Sequence, residues 1–181
     1  DVTAADMPEK FIEAAISRFG RADVLVNNAG MMHVGKIEEI DLDKMVAMVR
    51  LNVEALFRAS YVFLRHCRPL DRGYLVNVSS IAGLKNVATL AAYNGSKAAV
   101  EAFPDALRLE LAGSGIGVTA IAPGTVETNL YNGWEQGAKD YIFSGGALVP
   151  ADIARCIRFV VEQPPHMRVS RMLVVPAAQP V

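Results

Sequence analysis

YLVNVSSIAGLKNVATLAAYNGSK, residues 74–97, joins two different hydrophobic periods through a short polar bridge. Tyr74 to Val78 is a continuous apolar run broken only by Asn77, which reads as a short strand in a sheet covered on both faces. Ser79 and Ser80 end it. From Tyr93 to about Ala112 the period changes, with Val100, Phe103, Leu107 and Leu111 on one helical face. A strand followed by a helix is the repeating unit of a parallel sheet. Tyr93 and Lys97 stand four residues apart, so on a helix they share one face. A cationic amine near a phenol favours the phenolate, and the tyrosine pKa is expected to fall from its ordinary ~10. Tyr93 is therefore a candidate general acid/base, because a proton donor works best with a pKa near the operating pH. A serine hydroxyl brought nearby can hold a carbonyl oxygen. Taken alone, a Tyr-x-x-x-Lys spacing also arises by chance on helix surfaces.

The same alternation extends in both directions. A helix is expected from Pro8 to Phe19, with proline in its first turn, Gly20 as its stop, and Phe11, Ile12, Ala15, Ile16 and Phe19 on its buried face. Asp23 to Val26 reads as a short buried strand, and Asn27-Asn28-Ala29-Gly30 follows at its carboxyl end. Asp41 is expected to cap a long helix to about Arg68, with Leu42, Met45, Val46, Val49, Val53, Leu56 and Phe57 inward and Asn52 interrupting the stripe. Gly117 to Ala122 is a third strand, ended by Pro123-Gly124. Residues 129–148 are glycine-rich and aromatic without clear periodicity, as active-site lids often are, although Trp134 and its neighbours serve equally well as core cover. A helix from Pro150 to Glu162 and a strand from Met172 to Val175 complete the pattern. The fold class expected is α/β: a three-layer, Rossmann-type, doubly wound parallel sheet with helices on both faces. The whole of residues 1–181 reads as one domain, with the lid at about 125–149.

Composition narrows the function. The 181 residues are 52% hydrophobic and 20% charged, with a formal net charge of -1. That is material for a substantial core, and it gives no electrostatic reason to expect nucleic acid or an anionic membrane as partner. No run approaches the ~20 apolar residues of a membrane span. Cys67 and Cys156 stand apart without CxxC spacing, and His33, His66 and His166 are scattered, so neither a disulfide framework nor a metal site is expected. Free thiols point to a reducing, cytoplasmic setting.

Five short motifs, NNAG at 27–30, Asn52, NVSS at 77–80, YNGSK at 93–97 and PGTVET at 123–128, resemble the short-chain dehydrogenase/reductase family in order and spacing. The resemblance implies an NAD(P)-dependent alcohol/ketone oxidoreductase with a small carbonyl or alcohol substrate. It assigns Ser80, 13 positions before Tyr93, to the carbonyl oxygen, with Ser79 as runner-up. Tyr93 becomes the proton donor. Lys97 lowers the tyrosine pKa and binds the nicotinamide ribose, and Asn52 disturbs its helix and holds a water in a proton relay. For the cofactor the resemblance implies Asn28, Ala29 and Gly30 around ribose and ring, with Pro123, Gly124, Val126 and Thr128 at the nicotinamide. Asp1, with Val2 beside it, falls where the family contacts adenine. Residues 161–180 resemble a subgroup that mostly uses NADP(H), which is favoured over NAD(H). Family members are mostly tetramers or dimers packed through the helices at 41–68 and 93–112, so a homo-oligomer is expected. Pro104, inside the second of these helices, departs from the pattern.

The family's Gly-rich T-G-x-x-x-G-x-G turn, which would cradle the pyrophosphate, has no counterpart here. Gly113-Ser114-Gly115-Ile116-Gly117 precedes a strand and reads as a helix-ending loop. The chain is therefore expected to be part of a longer one, with the strand at residues 23–27 missing a neighbour. Two other functions stay open at this point. One is a non-catalytic structural or binding subunit. The other is an epimerase or dehydratase of the related extended group, against which NNAG and the short carboxyl-terminal part both speak.

Overall fold

The computed structural model describes residues 1–180. Four strands, β1 (Val24–Asn27), β2 (Gly73–Val78), β3 (Ile116–Pro123) and β4 (Arg171–Val174), form one parallel sheet in the order β1-β2-β3-β4. The register aligns Asn27 with Asn77 and Asn77 with Ala120, so the carboxyl ends of three strands finish side by side. Helices α1 (Met7–Phe19), α2 (Leu42–Val49), α3 (Leu56–Cys67), α4 (Ala91–Glu110), α5 (Gln136–Phe143) and α6 (Pro150–Val161) fill the connections. This is the expected Rossmann-like α/β architecture, with β1 at one edge.

Period-2 alternation along β2 divides the core. Leu75 faces a layer built from Ile12 of α1, Phe63 and Leu64 of α3 and Leu107 of α4. Tyr74 and Val76 face Ile153 and Val160 of α6 on the other side. Both faces are covered, which is why the strands lack a polar side.

Several local signals act as expected. Asp41 caps α2, its carboxylate accepting from the Lys44 amide at 3.1 Å. Gly20 ends α1 in the left-handed conformation. Pro104 is buried within α4, which continues past it to Glu110.

Other expectations are corrected. The helix expected from Asp41 to Arg68 is not uniform: a π-helical segment, Arg50–Ala55, separates α2 from α3. Its inner face is also rotated. Met48, Asn52, Ala55, Leu56 and Phe63 are buried, whereas Leu42, Val46 and Val49 are exposed. In α1, Ile12 is buried but Phe11 and Phe19 are open to solvent. The segment expected as an irregular lid contains helix α5.

Candidate active site

The centre of the site is the carboxyl edge of the sheet, where ligands bind in open α/β folds. Asn27 ties the strand ends together, its amide donating to Asn77 Oδ1 and to Ser60 Oγ, both at 2.9 Å. Asn28, Ala29 and Gly30 follow on the exposed rim. Asn52 is 1% exposed and clamps the next turn of chain: its Oδ1 accepts from Met31 N and its Nδ2 donates to Met31 O, each at 2.9 Å. Nδ2 also lies 3.2 Å from Ser96 Oγ on α4. The π segment accommodates this polar side chain in an otherwise apolar seam, as single π turns frequently do at functional sites.

Ser79 and Ser80 take different jobs. Ser79 is buried and donates to the Lys97 carbonyl at 3.2 Å, fixing the strand end to α4. Ser80 is half-buried, accepts from the Ala82 amide at 3.1 Å, and faces the Tyr93 phenol. Tyr93 is 5% exposed and packed against Met48 and Ala82. Lys97 Nζ donates to the Val78 carbonyl at 3.2 Å and lies 5.9 Å from the Tyr93 ring centroid. Ser80, Tyr93, Lys97 and Asn52 thus share one pocket edge.

Gly83, which no sequence motif singles out, makes that grouping possible. A Cβ there would fall 2.7 Å from the Lys97 carbonyl oxygen and 3.0 Å from Glu101 Cγ. The turn carrying Ser80 rests directly on the backbone of α4. Only the Ile-Ala-Gly after the serine pair hints at this. Gly30 is similar but looser, since a Cβ would lie 3.3 Å from Asn52 Oδ1 and 3.7 Å from Lys97 Nζ.

The electrostatics correct one expectation. Burial pushes the Tyr93 pKa up, and the Ser80 hydroxyl lowers it only in part. Lys97 is itself held at about 8 by burial, with Glu101 opposing. The charge argument from i,i+4 spacing omits desolvation, which disfavours both the phenolate and the ammonium. The resting state is a protonated phenol beside an easily deprotonated amine.

The far wall is the segment after β3. Pro123 ends the strand, and Gly124 N donates to Val174 O at 2.7 Å, while the space a Cβ would take at Gly124 is filled by the Gln179 side chain, whose Oε1 accepts from Thr125 N at 2.9 Å. Val126 pairs with Leu148 in a parallel bridge whose hydrogen bonds run through Thr125 O and Glu127 N. The N–H and C=O of Val126 itself therefore point away from Leu148. Thr128 caps a short turn at Asn129–Tyr131, accepting from Leu130 N at 3.3 Å. Tyr131 meets Trp134 and Phe143 edge-on, at centroid distances of 5.5 and 5.2 Å. Its pKa is pushed up to about 12 by burial, with Tyr93 adding to the rise. Asp1 and Val2 stand apart: Asp1 accepts from Thr3, and no hydrogen bond joins either residue to the Tyr93 group.

Among the described residues no three His, Cys, Asp or Glu side chains gather as a metal site, Cys67 and Cys156 are unpaired, and no helix is long and apolar enough to cross a membrane.

Comparison with known proteins agrees with this fold. The short chain dehydrogenase family profile matches residues 1–139. An oxidoreductase of Staphylococcus saprophyticus is 32% identical over 176 residues, covering 97% of this chain and 73% of its own length. Among solved structures, ElxO with NADP bound is 27% identical with a TM-score of 0.87, covering 98% of this chain and 75% of that one. Serine dehydrogenase from Escherichia coli is 25% identical with a TM-score of 0.84, covering 100% and 76%.

Proposed function

The chain belongs to the short-chain dehydrogenase family, and from that premise we propose that it is an NADP(H)-dependent oxidoreductase acting on the carbonyl or alcohol carbon of a small substrate. The observation that carries this reading is the meeting of Ser80, Tyr93, Lys97 and Asn52 at the carboxyl ends of β1 and β2. The relative with bound NADP favours NADP(H), while NAD(H) remains compatible with the residues present.

The pocket suits a nicotinamide cofactor. Lys97 Nζ has one protein acceptor, Val78 O, so two of its three donors are free for ribose hydroxyls. Gly30 keeps the space between Asn52 and Lys97 open. Val126 offers an unpaired N–H and C=O for a carboxamide, with Thr128 beside it. Pro123, Gly124, Asn28 and Ala29 complete the rim, and Asp1 and Val2 are the proposed adenine contacts. The cofactor supplies the hydride.

The remaining chemistry belongs to the side chains. Ser80 donates to the substrate oxygen and holds it against Tyr93. In reduction the buried phenol gives its proton to the developing alkoxide, and its raised pKa keeps that proton in place until then. Lys97 then stabilises the phenolate, and Asn52 is proposed to hold the water through which the proton is replaced. Apolar Leu42 and Val46 on α2 and Leu109 on α4, all exposed, support a homo-oligomer packed through these helices. The two free thiols suit a cytoplasmic setting.

The test is NADPH oxidation against a panel of aldehydes and ketones, with NADPH binding followed by fluorescence. Lys97→Ala is expected to weaken binding and rate together. An unchanged NADPH affinity would remove the ribose contact.

A further inference from the structure

The pocket wall after β3 begins on a donor that the sheet does not serve. Gly124 N still reaches β4 through Val174 O, but the next amide, Thr125 N, finds its acceptor in a side chain, Gln179 Oε1, at 2.9 Å. Thr125 is 5% exposed, and an unpaired amide so deeply buried is costly. Gln179 stands on the turn that follows β4, which its own N–H closes by donating to Pro176 O at 3.0 Å. Two glycines make room for this turn. A Cβ on Gly124 would collide with Gln179 Oε1 and lie 3.0 Å from Pro176 Cδ, and one on Gly145 would lie 3.3 Å from Ala178 O and from Gln179 Cα. The turn is thus wedged between the two ends of the lid segment. Thr125 holds that segment through its other polar atoms: its carbonyl accepts from Leu148 N at 2.9 Å, and its hydroxyl donates to Ile142 O of α5 at 3.4 Å. Val126 follows directly on a residue fixed at three atoms, one of them by Gln179.

We propose that Gln179 is a positioning residue: its side-chain oxygen, seated against Gly124, caps Thr125 N and holds the Val126 backbone where it meets the nicotinamide. The effect on the cofactor rests on the functional reading above, but the cap itself does not. A substitution at 179 acts on this wall alone. The hydrogen bonds of Asn52, Ser80 and Lys97 run to Met31, Ser96, Ala82 and Val78, and none passes through the turn at 176–179.

The experiment is amide hydrogen exchange by NMR on the intact chain, with NADPH affinity measured by fluorescence on the same samples. Gln179→Met keeps the bulk beside Gly124 and removes the acceptor, and Gln179→Ala stands in if the methionine variant does not fold. In either, the Thr125 and Leu148 amides should exchange about tenfold faster while Val76 in β2 keeps its protection. NADPH should bind about tenfold more weakly. Gln179→Glu retains an acceptor oxygen and should stay within about threefold of the parent in both measurements. Unchanged exchange at Thr125 overturns the proposal, and with NADPH binding intact it leaves the functional reading standing. Protection lost equally at Val76 also overturns it, because Gln179 would then serve only general stability. Faster exchange confined to the wall with NADPH affinity unchanged removes the positioning role. Faster exchange there, with no NADPH binding in any form including the parent, supports the cap and removes the functional reading instead.

Discussion

The two walls of the pocket are built differently. On one side the β2 end, the Gly83 turn and α4 are bonded at successive positions: Ser79 to Lys97 O, Lys97 Nζ to Val78 O, Ser96 to Tyr93 O at 2.8 Å, and Asn52 across to Ser96. On the other side, the segment from Thr125 to Val149 is closed at its base by the Thr125–Leu148 and Glu127–Leu148 hydrogen bonds. Above that base Tyr131 meets Trp134 and Phe143 edge-on, and Tyr141 is 80% exposed. The first wall suits chemistry, where a displacement of an ångström can reduce rate about 100-fold. The second suits recognition, because it presents an aromatic surface with fewer bonds to the rest of the fold, Tyr131 being the ring that senses Tyr93.

If this division holds, the largest effects come from the bonded wall. Tyr93→Phe removes the proton donor while keeping the ring packed against Met48 and Ala82, so turnover should fall by about 10³-fold or more with NADPH binding retained. Retained turnover, measured by NADPH oxidation, would take Tyr93 out of its role. Gly83→Ala comes next. Its methyl group meets main chain, which cannot rotate away, so the Ser80 turn must lift. A loss of about 100-fold in kcat is expected, with a smaller change in NADPH affinity. Wild-type kcat in this variant would show that the turn can move without harm.

Gly83 is only faintly legible in the sequence, for a physical reason. The strands, the Asp41 cap and the Gly20 stop are local signals written in adjacent residues, and they act where those residues stand. Gly83 owes its identity to the backbone of α4, 14 or more positions away in sequence. The π segment is equally non-local, since Asn52 enters it to bond Met31 in another loop. Helical period shows which residues share a face, yet with apolar residues on more than one face it cannot say which face turns inward. Hence period alone sends Phe11, Phe19, Leu42 and Val46 to the core, and all four stand outside it. The direction of the Tyr93 pKa escapes the sequence for a related reason: spacing reveals a neighbouring charge, whereas burial is a property of the finished fold.

The lid should respond more mildly. Trp134→Ala removes one ring from the Tyr131 cluster without touching the bonded wall, so KM for a bulky carbonyl substrate should change about tenfold while kcat stays within about threefold. A kcat loss comparable to that of Gly83→Ala would mean that the lid also positions the reacting groups.

The smallest effect concerns stability. Lys97 titrates at about 8 in the folded chain against an ordinary 10.5. Between these values the unfolded chain holds a proton that the folded chain has released, so the lysine makes stability rise with pH across this window. Above about 10 the phenol of Tyr93 acts in the opposite direction: folding holds its pKa up, the unfolded chain ionises first, and stability falls. Lys97→Met lacks the rising limb. At about 1.4 kcal/mol for each pH unit crossed inside the window, the parent should gain a few degrees of Tm relative to the variant between pH 7.5 and 9.5. Taking the difference between the two melts at each pH cancels every other titrating group. A gap that stays constant with pH would mean that Lys97 is solvated, and the contrast between a sealed wall and a loose one would lose its physical basis.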